Sequence, residues 1–210
     1  MSLVCHLRIH LHANILLIVT FRLTGAVDPA TLLVTLSAPL AFADDRTYGI
    51  SFALTNLNAY QYMAVYYNGS TSSPSQTLKA VVMNVTVNAV SGAYTVMPYK
   101  KPVSFTGSSL TGVVRATTLD NGNVVVAYSD KNTNNGVTCM LLEVNKYTGL
   151  IIFGSQLQIT TGTSVKYIST GTLNINLVTI GTGTQFMVMF SDLALNGAIV
   201  AAIGEVRYPI

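Results

Sequence analysis

Leu119–Asp130 reads Leu-Asp-Asn-Gly-Asn-Val-Val-Val-Ala-Tyr-Ser-Asp, so turn residues stand directly before an apolar run. Asp120-Asn121-Gly122 is typical of a tight β-hairpin, because Asn and Gly tolerate the positive φ angles that two-residue turns require. Asn123–Tyr128 is apolar on both faces and too short for a helix, which indicates a strand buried on both sides. Ser129-Asp130 is then expected to return the chain to solvent.

Two further segments, Leu54–Gly69 and Ile180–Asp192, have a similar layout: turn residues, an apolar strand and an aromatic residue near its end. The step from Tyr67 to Tyr128 is 61 residues, and the step from Tyr128 to Phe190 is 62. Recurrence of one layout at a nearly constant spacing predicts an internal repeat of about 60 residues.

Two other markers support this spacing. Leu142-Glu143-Val144 recurs as Gly204-Glu205-Val206, again 62 residues later. A small turn recurs more loosely, at steps of 67 and 57, as Thr24-Gly25, Ser91-Gly92 and Thr148-Gly149.

Composition limits the class of protein. Charged residues make up 9% and apolar residues 50% of the 210 residues, which disfavours disorder and favours a packed core. The net charge of +3 is spread thinly, and Lys100-Lys101 is the one basic pair, whereas nucleic-acid binding requires clustered cations. No uncharged apolar run reaches the roughly 18 residues of a membrane helix. We therefore expect neither a nucleic-acid partner nor a membrane span.

The N-terminal part admits two interpretations. Residues 3–12 alternate between apolar and polar side chains, which predicts a strand with one wet face that carries His6, His10 and His12. Too few further ligands stand near these histidines for a zinc site. Asn14–Phe21 is either the apolar region of a signal segment spanning residues 1–26 or part of an incomplete repeat.

The predicted organisation has four units: a partial repeat at 1–46, complete repeats at 47–112 and 113–174, and a partial repeat at 175–210. The strands expected in the second unit are Thr47–Leu54, Tyr60–Tyr67, Leu78–Val87 and Tyr94–Phe105. Those expected in the third are Val113–Leu119, Asn123–Tyr128, Val137–Asn145 and Leu150–Thr160. Those expected in the fourth are Ile175–Ile180, Gln185–Phe190 and Gly197–Val206. Val165–Thr170 is a further candidate strand.

This pattern, quoted from Leu119–Asp130 and from Gly149–Gly154, resembles the blades of β-propeller-type repeat proteins. The resemblance implies an all-β fold of antiparallel four-stranded blades. Two complete and two partial units are few for a closed propeller, so an open or partial propeller is expected. Its unpaired strand edges would favour self-association. The Trp-Asp pair and the sialidase-type box of narrower propeller families are absent.

No catalytic, cofactor-binding or metal-binding residue is predicted. A glycosidase needs two carboxylates that face one cleft. The spaced pairs Asp130/Asp192 and Glu143/Glu205 instead indicate turn positions for Asp and exposed strand positions for Glu. Asp130–Gly136 looks like a calcium loop, but its glycine falls at position 7 and Leu141 replaces the glutamate at position 12.

Cysteines and tyrosines are the remaining candidates. Cys5 and Cys139 lack a Cys-x-x-Cys context and are expected to be buried free thiols, although the sequence leaves a disulfide open. Four tyrosines cluster on one predicted strand at positions 60, 62, 66 and 67. They are expected to pack in the core, with a sugar- or peptide-binding face as the alternative.

The sequence thus predicts a non-enzymatic, β-propeller-like repeat module that acts as a binding or structural scaffold. Its partner is an unknown protein or a glycan, and it needs no cofactor. The low charge and the high Thr and Asn content favour an extracellular location. Two alternatives remain open: part of a carbohydrate-active propeller enzyme, or a β-rich adhesin or fibre component.

Overall fold

The computed structural model describes residues 52–68, 77–90, 94–105, 110–130, 136–160, 175–181, 183–192, 195 and 197–207. The predicted first unit (1–46), the histidines, Cys5 and the candidate strand Val165–Thr170 lie outside these ranges. Within them the regular elements are β-strands, arranged in three antiparallel sheets.

Each sheet is built on a meander of consecutive hydrogen-bonded strands, and in the first sheet a short fifth strand pairs with the third strand rather than the fourth. The first sheet holds β1 (Phe52–Asn58), β2 (Gln61–Asn68), β3 (Thr77–Val87), β4 (Tyr94–Pro98) and β5 (Val103–Ser104). The second holds β6 (Leu110–Thr118), β7 (Val124–Asp130), β8 (Gly136–Asn145) and β9 (Leu150–Gln158). The third holds β10 (Ile175–Ile180), β11 (Gln185–Asp192) and β12 (Ala198–Glu205). The prediction of an all-β chain of antiparallel sheets is confirmed, and the described strands do not close into a ring.

The sheets stack face to face with the second sheet in the middle. Alternate residues of β2 and β7, including Met63, Val65, Val124 and Val126, belong to one apolar cluster, which we call the first interface. The residues between them on β7 face the third sheet. Val125 and Ala127 join residues of β10 and β11 in a second cluster, the second interface. Strand alternation therefore gives β7 one neighbour on each face.

All seven residues of β7 are buried. This confirms the prediction of a strand covered on both sides, but it corrects the expectation for its end. Ser129 and Asp130 continue the strand, at 1% and 4% exposure, and do not lead the chain out to solvent. Both residues pair with β8, and Asp130 stands opposite Gly136, the first residue of that strand. The pairing therefore keeps the end of β7 within the sheet.

The hairpin before β7 forms where it was predicted, but its loop has three residues. The Leu119 amide donates to the Asn123 carbonyl at 2.8 Å, and the Gly122 amide donates to the Leu119 carbonyl at 2.9 Å. Gly122 completes the loop with a left-handed φ of 86°. This is the three-residue hairpin, in which a β-turn is followed by a left-handed glycine.

The strand predicted over Tyr94–Phe105 is divided into β4 and β5, which pair with different parts of β3. Backbone bonds from Tyr99 to the Val82 carbonyl (2.7 Å) and from Phe105 to the Leu78 carbonyl (3.0 Å) flank the gap. Pro102 lies in this gap and lacks an amide hydrogen, so it cannot donate to a ladder. The chain bulges away from β3 and then rejoins it.

The strand registers correct the alignment of aromatic residues between sheets that the sequence spacing predicted. Phe52 stands opposite Tyr66, Val114 opposite Tyr128, and Ile175 opposite Phe190. Residues 66, 128 and 190 are 62 apart, so Tyr66, rather than Tyr67, occupies the position of Tyr128. Tyr67 faces the opposite side of its sheet, since a shift of one residue on a strand reverses the face.

We predict that Gly122→Ala destabilises the protein by ~1–2 kcal/mol. The position has open space around an added Cβ, so the penalty comes from the left-handed backbone alone. Gly122→Asn is the matched control, because Asn adopts this conformation more readily and should cost less. Urea unfolding monitored by circular dichroism measures both; equal losses would contradict the backbone explanation.

We also predict that Leu142→Ala costs about 2–5 kcal/mol. Leu142 is fully buried in the first interface, and truncation there leaves a cavity between two sheets. The control is Leu157→Ala on the neighbouring strand β9, where the leucine is exposed and the change should stay within about 0.5 kcal/mol. A Leu142 variant as stable as the Leu157 variant would show that the sheets do not depend on each other for stability.

Candidate functional site

The carboxylates considered from sequence are spread over the described fold. Asp120 is exposed in the hairpin loop, and Glu143 and Glu205 are exposed on strands β8 and β12, as predicted for the glutamates. Asp130 and Asp192 end β7 and β11. Among the described residues, no group of three or more His, Cys, Asp or Glu side chains could hold a metal ion.

The tyrosine cluster divides into two environments. Tyr62, Tyr66 and Tyr67 are buried, so core packing is confirmed for these three. Tyr60 precedes β2 and is 59% exposed. It lies beside a cleft that became visible only in the tertiary structure.

The hairpin turn between β1 and β2 forms one wall of this cleft. The Tyr60 amide donates to Asn58 Oδ1 at 2.9 Å, and Asn58 Nδ2 donates to Gln61 Oε1 at 2.7 Å. The Val85 amide donates to the Tyr60 carbonyl at 2.7 Å and fastens the turn to the end of β3. The exposed ring of Tyr60 therefore projects from a backbone held at several points.

The turn between β8 and β9, in the second sheet, forms the other wall. Asn145 Oδ1 accepts hydrogen bonds from the Tyr147 amide at 3.0 Å and the Thr148 amide at 3.1 Å. Gly149 closes the turn with a φ of 64°, and its amide donates to the Asn145 carbonyl at 2.8 Å. This turn presents Lys146 and Tyr147 to solvent, with Tyr147 79% exposed.

Two side chains of the first sheet hold this turn in place. Gln61 Nε2 donates to the Lys146 carbonyl at 2.7 Å, and the Tyr99 hydroxyl donates to the Tyr147 carbonyl. The Tyr99 ring packs against Gly149, where an added Cβ would come within 2.8 Å of ring atoms. Glycine is thus required at this position both for its φ and for the space that Tyr99 occupies.

The cleft between the two turns has a volume of about 510 Å³. Its lining residues are Asn58, Tyr60, Gln61, Asn84, Val85, Thr86, Lys146 and Tyr147. Lys146 Nζ lies 5.6 Å from the centroid of the Tyr147 ring, within range of a cation–π contact. The lining offers aromatic faces, amide donors and acceptors, three hydroxyls and an ammonium group, which can bind a polar ligand.

Sequence reasoning identified Tyr60 only as a member of a tyrosine cluster and missed Tyr99, Lys146 and Tyr147. One signal was present, since Tyr147 is an aromatic residue within the turn that Thr148-Gly149 predicted. An aromatic side chain in a turn is generally exposed, but its pairing with the β1–β2 turn depends on how two sheets stack.

Cys139 is a free thiol buried in the second interface. Burial raises its pKa to about 12, which keeps it protonated and unreactive at neutral pH. The expectation of a buried free thiol is confirmed for this cysteine.

We predict that Cys139 reacts with a thiol reagent at pH 8 only as fast as the fold opens; a Cys5→Ser variant isolates this signal. The unfolded thiol ionises near pH 8.5, far below its folded pKa. The stability that Cys139 contributes is therefore complete below about pH 8.5 and is lost as the pH rises towards 12. Rapid labelling of the native protein, at a rate unaffected by mild urea, would contradict this burial.

In comparisons with known proteins, the chain matches no protein-family model, no curated protein and no solved structure. Among the described residues, no helix has the length and apolar character needed to cross a membrane.

Proposed function

We propose that this chain is a non-enzymatic binding module, in which the sheets are successive blades of an open, β-propeller-like repeat and the cleft between the first two binds a glycan. The observation that carries the proposal is the pair of exposed tyrosines, Tyr60 and Tyr147, above a cleft lined by amide side chains.

The repeat part of the proposal rests on strand order and register. Each sheet contains an antiparallel meander of consecutive strands, and the second strands are aligned at a spacing of 62 through Tyr66, Tyr128 and Phe190. The second and third sheets each present the face that carries this aromatic residue to the sheet before them. Successive blades of a propeller would stack with this constant polarity.

The glycan part rests on complementary chemistry. A sugar ring has an apolar face of C–H groups and a rim of hydroxyls, and a ligand of this kind needs a flat aromatic surface beside hydrogen-bonding groups. Tyrosine provides a rigid amphipathic surface at low entropic cost. Asn58, Gln61 and Asn84 provide amide donors and acceptors.

An enzyme of carbohydrates is the runner-up and would need two carboxylates flanking the scissile bond. The described residues that line the cleft include no Asp or Glu, so the cleft supports binding rather than hydrolysis. The extracellular location and the adhesin or fibre alternative remain predictions from sequence.

The test is a glycan array probed with the labelled full chain, followed by calorimetric titration of the strongest ligand. We expect Tyr147→Ala and Tyr60→Ala each to weaken binding about tenfold or more, because loss of a central aromatic contact generally removes at least ~1.4 kcal/mol. The control is Ile203→Thr, an exposed position on the third sheet that does not line the cleft, which should leave the affinity unchanged.

Three outcomes would overturn the proposal. Glycan binding that is unchanged in both tyrosine variants would move the site elsewhere. Binding to peptides but to no glycan, lost in the Tyr147 variant, would keep the cleft and reject the ligand class. Release of hydrolysis products from the bound glycan would favour the enzyme.

A further inference from the structure

Three hydroxyl groups lie buried in the first interface without a hydrogen-bond partner: those of Tyr67, Tyr128 and Thr138. Tyr67 is near the end of β2 in the first sheet, and Tyr128 and Thr138 stand opposite each other on β7 and β8 of the second. Tyr67 and Tyr128 share one apolar cluster, so these two side chains lie on opposite sides of the same interface.

The two phenols are also electrostatically coupled to a nearby carboxylate. Asp130 follows Tyr128 by two residues on the same face of β7, and it is almost fully buried. Burial raises the pKa of both phenols, and the negative charge of Asp130 adds to this. Both tyrosines therefore stay neutral at physiological pH and keep a hydrogen to donate.

Leaving such groups unpaired is expensive, because a buried polar group without a partner costs roughly 1–3 kcal/mol. Native proteins rarely contain three of them in one place, and buried hydroxyls generally share an ordered water. A buried water typically makes about three hydrogen bonds, which is the number of hydroxyls here.

The second interface shows that packing does not require these hydroxyls. The positions 62 residues after Tyr128 and Thr138 are Phe190 and Val200, which also stand opposite each other on neighbouring strands. Phenylalanine and valine are nearly isosteric with tyrosine and threonine but lack the hydroxyl. The same stacking of sheets is thus achieved once with hydroxyls at this pair of opposed positions and once without them.

We propose that Tyr67, Tyr128 and Thr138 enclose a resident water molecule that bridges the first and second sheets. The water accepts from and donates to the three hydroxyls and makes the first interface chemically different from the second. A polar bridge of this kind stabilises the pairing of these two sheets in one register, because any other pairing leaves the hydroxyls without hydrogen-bond partners.

Two measurements on the full chain test this. The first is a water–protein NOE experiment on protein with labelled tyrosines, in which a long-lived water should give cross-peaks to the Tyr67 and Tyr128 rings. The second is a double-mutant cycle of Tyr67→Phe and Tyr128→Phe, measured by urea unfolding. Both changes are isosteric, and far-UV circular dichroism verifies that each variant folds.

If the water is present, each single variant raises the equilibrium constant of unfolding about fivefold or more, because it removes one hydrogen bond to the water. The double variant raises this constant by less than the product of the two single-variant increases. If the hydroxyls are dry and unpaired, each variant lowers that constant, because it removes an unsatisfied group. Lowered constants, or missing cross-peaks at both rings, would overturn the proposal.

The reciprocal variant Phe190→Tyr is the matched control. It places a hydroxyl in the second interface opposite Val200, so it should raise the unfolding constant without producing a water cross-peak.

Calcium chloride and potassium chloride distinguish water from an ion. A free energy of unfolding that neither salt changes supports the water. Stabilisation by either salt that disappears in Tyr67→Phe would instead indicate a cation site and overturn the proposal.

Discussion

The burial of β7 on both faces is the constraint on which the rest of this structure depends. Val124 and Val126 pack against the first sheet, and Val125 and Ala127 pack against the third. A strand with no solvent-facing side cannot change its register without moving apolar side chains from one interface to the other. The second sheet therefore fixes both neighbours, and their hairpin turns are held at defined positions relative to its own.

The candidate cleft is a direct product of this stacking. It lies between the β1–β2 turn and the β8–β9 turn, which belong to different sheets and are 85 residues apart at the contact between Gln61 and Lys146. Backbone carbonyls of the second turn accept hydrogen bonds from side chains of the first sheet. Both exposed tyrosines thus stand on supports whose geometry is set before a ligand arrives, which reduces the entropic cost of binding.

The chain has few charges, and several described polar contacts between its sheets join neutral groups. Thr55 and Thr118 join their hydroxyls across the first interface at 2.8 Å, and the cleft walls use amides and carbonyls. At one pair of opposed positions the first interface has the hydroxyls of Tyr128 and Thr138, whereas the second has Phe190 and Val200. Neutral groups of this kind give stacked sheets directional contacts without the desolvation penalty of buried ions.

The sequence alone determined the all-β class, most strand positions, the hairpin before β7 and the burial of that strand, because strand periodicity and turn chemistry are local properties. Only the tertiary structure decided that Asp130 is buried, that Tyr66 rather than Tyr67 corresponds to Tyr128, and that Tyr60 and Tyr147 share one cleft. Each of these depends on which face of a strand meets another sheet. That choice is made by packing between residues distant in the chain, and no local pattern encodes it.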